Sequence, residues 1–155
     1  MRLRPDLRLP VALVIVLLSL VAGAAASNTV LLPRVEHATG WRNPEVRQSN
    51  LASTVCKSGY SATIRPPVSY TSFLKREELR YLKLPGSASD YQLDHLISLS
   101  IGGSPYDTRN LWMQPDSQAR RDDRLESRWH RDLCAGRLTL RQAQAAELAY
   151  KRAHG

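Results

Sequence analysis

The chain has 155 residues, a formal net charge of +8 and an isoelectric point near 10.0. That length supports one modest core rather than several, and the basic balance points to a polyanionic partner, nucleic acid first and anionic membrane surfaces second. The 2 cysteines exclude a cysteine-ligated zinc module, because neither has a Cys or His partner at zinc-finger spacing.

Residues 1–26 have the three zones of a secretory signal. Arg2, Arg4 and Arg8 form a basic start, Pro10 to Leu20 are apolar apart from Ser19, and Ala24-Ala25-Ala26 suits cleavage before Ser27. The alternative is a membrane anchor at residues 11–26, but that run is shorter than the roughly 20 residues a spanning helix needs. The expected location is therefore secreted or periplasmic, with no stable membrane insertion after cleavage. Without Arg2, Arg4, Arg8 and Asp6 the charge falls from +8 to +6. In an oxidising compartment, Cys56 and Cys134 are expected to form one intramolecular disulfide, with two free buried thiols as the alternative.

Residues 27–53 contain Pro33, Gly40 and Pro44 without a sustained period and read as an extended lead-in to a domain over 54–155. Asn50 to Cys56 fits a short helix or a strand end. Ser61 to Arg65 reads as a short strand stopped by Pro66-Pro67, and Ser69 or Thr71 can cap a helix reaching about Lys83. Tyr91-Gln92-Leu93 is a β-like piece leading into Asp94-His95, and Gly102 to Asp107 form a polar turn. Asn110 to Gln114 make a second strand, halted by Pro115. Asp116 or Ser117 can start a charged helix with a stripe at Leu125, Trp129 and Leu133, stopped by Gly136. Thr139 and Gln142 make a capping box for a last helix to about Ala153. The fold class is α+β, a mainly helical small domain around a strand-strand-helix core.

The stretch from Tyr91 to Glu126 carries the chemistry. Phosphodiester hydrolysis needs a base to take a proton from water, and a neutral imidazole near pH 7 serves. It also benefits from a divalent cation on hard oxygen ligands. Asp94 and His95 are adjacent, so on a strand their side chains diverge to opposite faces. Asn110 can tie down the loop after the histidine. Gln118 and Asp122 share a helix face with Leu125 and Trp129, and the start of that helix would favour a phosphate.

The run Tyr91-Gln-Leu-Asp-His-Leu-Ile-Ser-Leu99, then Ile-Gly-Gly103, then Asp107-Thr-Arg-Asn-Leu-Trp-Met-Gln-Pro115 resembles the HNH (ββα-metal) endonuclease superfamily, particularly small bacterial proteins with signal peptides. The likeness extends over about Thr54 to Ala146. It implies that His95 is the general base, Asp94 a ligand of one divalent ion and Asn110 the residue that orders the loop. Mg²⁺ is the expected ion, with Mn²⁺ or another divalent ion as alternatives, and no small-molecule cofactor is implied. Gln118 stands where the superfamily has His or Asn. Asp122 replaces a usual Lys and becomes a substitute metal ligand. Arg109, Arg120, Arg121 and Arg124 are candidates to hold phosphates; their plain alternative is a solvated helix face paired with Asp122, Asp123 and Glu126. Trp112 and Trp129 are expected in the core.

The expected activity is endonucleolytic cleavage of nucleic acid, DNA before RNA, with little sequence preference, since no sequence-reading module is present. The alternative is a nucleic-acid-binding or envelope interaction module that keeps the fold without the catalysis.

Overall fold

Two short strands, β1 (Tyr91–His95) and β2 (Leu111–Pro115), pair antiparallel with Asp94 opposite Trp112 and His95 opposite Leu111. They appear in a computed structural model that describes Leu32, Arg34 and residues 37–155. The signal or anchor expected within residues 1–26 lies outside the described residues. Among those described, no helix is long and apolar enough to cross a membrane.

The hairpin divides two clusters. Leu111 and Met113 face Leu74 with Tyr70, Leu79, Tyr91 and Leu93 packed around them, while Trp112 joins Leu96, Ile97, Ile101, Leu133 and Leu148. Strand alternation explains the partition, because consecutive residues of β2 point to opposite sides. Helix α2 (Val68–Leu82) covers the first side; α3 (Asp116–Cys134) and α4 (Leu140–His154) cover the second. The buried stripe of α3 runs Ala119, Asp122 and Leu133, with Leu125 and Trp129 only half-buried between them.

Several expectations shift. Ser61 to Arg65 is not a strand: Tyr60–Ile64 is a helical turn, α1, and Arg65 is extended because it precedes proline. Over five residues, Tyr60 and Ile64 at i and i+4 satisfy a helical face as well as a strand does. Asn110 belongs to a 3₁₀ turn (Thr108–Asn110), so β2 starts one residue later. Pro67 and Pro115, rather than Ser69, Thr71, Asp116 or Ser117, hold the N-cap positions of α2 and α3. Asn50 to Cys56 starts within a 3₁₀ segment, Gln48–Ser53. The Thr139–Gln142 capping box is present, and α4 runs to His154.

The described part of the expected lead-in belongs to the packed body. Ala38 and Val46 are buried in the core, and Arg42 forms an isolated bridge with Gly103. Cys56 and Cys134 are bonded, with Cα atoms 5.5 Å apart and a sequence separation of 78. This disulfide ties the end of α3 to the segment before α1 and fits an extracellular or periplasmic compartment.

Candidate functional site at the hairpin end

Asp94 and His95 end β1 on opposite faces. His95 turns towards the α2 side, is 5% exposed, and its Nε2 lies 3.1 Å from the Pro105 carbonyl oxygen. A carbonyl can only accept, so Nε2 carries the hydrogen and the lone pair of the neutral ring is on Nδ1. Burial pushes the His95 pKa down, against the opposing pull of Asp94 and the Pro105 carbonyl, and the charges of Arg65 and Lys151 hold it lower still. The outcome is a neutral imidazole with a defined basic nitrogen.

The loop supplying that carbonyl is pinned by Asn110, which is fully buried. Its Oδ1 accepts from Ile97 N at 2.9 Å, and its Nδ2 donates to Ile97 O at 3.0 Å and Ser104 O at 2.9 Å. One amide thereby closes the loop between Ile97 and Ser104, next to Pro105. Gly103 permits the closure, since a Cβ there would lie 1.7 Å from the Ile97 carbonyl oxygen.

On the other face, Asp94 meets a lysine. Lys151 Nζ lies 2.9 Å from Asp94 Oδ2, 2.7 Å from Glu126 Oε1 and 2.6 Å from the His95 carbonyl oxygen. Glu147 Oε1 is 3.3 Å away, and Glu147 Oε2 accepts from Ser98 N at 2.9 Å. The Lys151 side chain has 0% exposure. Burial disfavours its charge, but Asp94, Glu147 and Glu126 outweigh that and raise its pKa. Burial likewise pushes the Asp94 carboxyl up, yet Lys151 brings it below the ordinary range. Burial and the Asp94 charge push Glu126 to about 9, and burial raises Glu147. At neutral pH the Lys151 ammonium thus faces the Asp94 carboxylate and a protonated Glu126.

The other expected site residues separate. Asp122 is buried and accepts from Gln114 Nε2 at 2.8 Å, with Arg121 Nε 3.4 Å away. Gln114 pairs in register with Gln92, two residues before Asp94, so Asp122 sits along the hairpin from the Asp94–Lys151 contact. Gln118 lies one turn earlier in α3, and its Oε1 is buried without a hydrogen-bond partner. It is Glu126, one turn beyond Asp122, that meets Asp94 through Lys151. Asp94 and Asp122 are thus each engaged by a protein group, Lys151 and Gln114 respectively, and among the described residues no three His, Cys, Asp or Glu side chains are grouped as metal ligands.

Of the four arginines, Arg109 alone lies on the loop that holds His95. It pairs with Asp107 at 2.6 Å and stacks 3.4 Å from the Trp41 ring centroid. Arg121 lies over Tyr150, while Arg120 and Arg124 are on the exposed face of α3. Trp41 and Tyr106, exposed by 43% and 50%, flank this loop; neither stood out in sequence. A cleft of about 630 Å³ opens beside the disulfide, lined by residues 55–62, Arg65 and His130. Lys151 was also missed, although α4 places Gln144, Glu147 and Lys151 at helical spacing among Ala143 and Leu148, a polar file on an apolar face.

No family model, no curated protein and no solved structure matches this chain.

Proposed function

We propose that the chain is an endonuclease acting on exported or external nucleic acid, with His95 Nδ1 as the base that takes a proton from the attacking water. The observation that carries this reading is the tautomer-defined, neutral imidazole of His95, held by Pro105 O on a loop clamped by Asn110. A base positioned in this way has little orientation left to lose before the reaction. The surroundings suit a phosphodiester chain. Arg65, whose charge is felt at His95, and Arg109 on the loop offer charge for phosphates, and the half-exposed Tyr106 offers a ring on which an unpaired base stacks. A net charge of +8 for the full sequence, +6 without Arg2, Arg4, Arg8 and Asp6, favours encounter with a polyanion.

A second reading, binding without cleavage, is favoured by the ammonium that engages Asp94. One experiment separates the two. The purified chain is incubated with plasmid DNA and with structured RNA, with Mg²⁺, Mn²⁺ or EDTA, beside His95→Ala. Cleavage lost in His95→Ala supports the nuclease. Retarded but intact nucleic acid under every condition supports the binding module.

A further inference from the structure

We infer that Lys151 is the resident cation of the hairpin end, occupying the position beside Asp94 that a divalent ion would take, so that this carboxylate binds no metal. The inference rests on the nuclease reading only for the expectation of an ion there.

The geometry is that of a cation seat. Four oxygens from three elements, three of them carboxyl oxygens and one a strand-end carbonyl, surround one atom: Asp94 Oδ2 at 2.9 Å, Glu126 Oε1 at 2.7 Å, His95 O at 2.6 Å and Glu147 Oε1 at 3.3 Å. All are hard oxygen donors, the kind that Mg²⁺ and Ca²⁺ also select. An ammonium has three N–H groups, and each has an acceptor among the three nearest oxygens. Distances of 2.6–2.9 Å suit hydrogen bonds from nitrogen and exceed the roughly 2.1 Å of Mg²⁺–oxygen coordination, so the seat is sized for the lysine.

Displacement by a metal is opposed on three counts. The lysine side chain has 0% exposure, so leaving requires α4 to open. Its four-carbon stem starts from a helix buried along Ala143, Gln144, Glu147 and Leu148, which fixes where the charge can go. Glu147 is further held by Ser98 N and Oγ, so the seat cannot readily contract around a smaller ion. The same ammonium bonds the carbonyl of His95 and so also fixes the backbone that carries the base. Lys151 is thus a positioning residue for His95 as well as the partner of Asp94.

The test is direct metal binding. Mn²⁺ is titrated into the purified chain and into Asp94→Asn, with binding read by calorimetry. Broadening of the Trp112 indole NMR signal in the wild-type chain gives a second readout that needs no variant, because Trp112 is opposite Asp94 in the hairpin. The expected result is no binding that depends on Asp94 and no selective broadening at Trp112. Saturable one-to-one binding that Asp94→Asn abolishes, or Trp112 broadening at the same Mn²⁺ concentrations, overturns the inference. Should Asp94→Asn fail to fold, the Trp112 readout decides. Cleavage assays keep the two readings apart: a chain that neither cuts nucleic acid nor takes Mn²⁺ at Asp94 removes the nuclease and leaves Lys151 in its seat. A chain that cuts and binds Mn²⁺ through Asp94 does the reverse.

Discussion

Asn110 satisfies both backbone polar groups of Ile97: its side-chain amide accepts from the Ile97 N–H at 2.9 Å and donates to the Ile97 carbonyl at 3.0 Å. Such a reciprocal pair mimics one rung of a sheet at a position where β1 has ended. The loop from Ile97 to Ser104 would otherwise leave buried backbone groups without partners, a cost on the order of 1–3 kcal/mol for each. Pro105, next in the chain, presents the carbonyl that orients His95.

Asn110→Ala should therefore act twice. It should lower stability by about 2–4 kcal/mol, as two backbone groups of Ile97 lose their partners in a buried site. It should also reduce cleavage by more than the loss of folded protein explains, because the Pro105 carbonyl no longer has a fixed place. Urea denaturation gives the first effect, and initial rates at a temperature where the variant is fully folded give the second. A variant with normal rates per folded molecule would separate Asn110 from the orientation of His95.

For His95 the pH profile is more informative than simple loss. The imidazole pKa is held below its ordinary 6.5, chiefly by burial. A base works deprotonated, so the acid limb of the rate profile should fall below pH 6.5. The stability sign agrees: a histidine with a lowered folded pKa contributes above its unfolded pKa and loses that contribution as pH falls through the folded value. Rates should accordingly be taken where the chain remains folded. An acid limb at or above 6.5, or one that persists in His95→Gln, would assign the base to another group.

Much of this fold was legible in sequence, for reasons that differ by element. Thr139 and Gln142 announced α4 because a capping box satisfies two backbone donors at fixed spacing, independent of tertiary context. The hairpin was legible from alternation between two turn-rich segments. The helical turn at Tyr60–Ile64 was not, because five residues carry too little periodicity to tell a turn from a strand. At the site, strand alternation alone separates Asp94 from His95. The partner of Asp94 could not be read that way: Lys151 is 57 positions later and reaches it only once α4 has packed on α3. Charges in sequence state what can pair, and packing decides which pairs form.

The disulfide permits a sharp check. Cys56 and Cys134 close a long loop at sequence separation 78. Constraining the unfolded chain over such a loop is worth about 4 kcal/mol in the chain-entropy account. The native chain should weigh about two daltons less than its fully reduced form, as one bond replaces two S–H groups. Reduction, or paired Cys56→Ser and Cys134→Ser replacement, should lower the unfolding midpoint in urea. Two titratable thiols in the native protein would show that the bond does not form in solution.

Glu126 gives the cluster around Lys151 a distinct pH signature. Its folded pKa is pushed up to about 9, first by burial and then by the Asp94 charge, from an ordinary value of 4.5. Between those values the unfolded chain releases a proton that the folded chain keeps, so stability should fall as pH rises through the window, by at most about 1.4 kcal/mol per pH unit for one group. Glu147 adds in the same sense, and Lys151, with its pKa raised, begins to matter only above its ordinary 10.5. Glu126→Gln keeps an acceptor for the ammonium but has no proton to lose. Its melting temperature should decline less steeply from pH 5 to 9 than that of the wild-type chain, and the two curves should converge or cross at the alkaline end. Lys151→Met, in contrast, should be destabilised throughout this range, by about 3–5 kcal/mol, because it strands carboxyl groups beside an ionised Asp94. Parallel melting curves for wild type and Glu126→Gln would mean that Glu126 carries its ordinary charge beside Lys151.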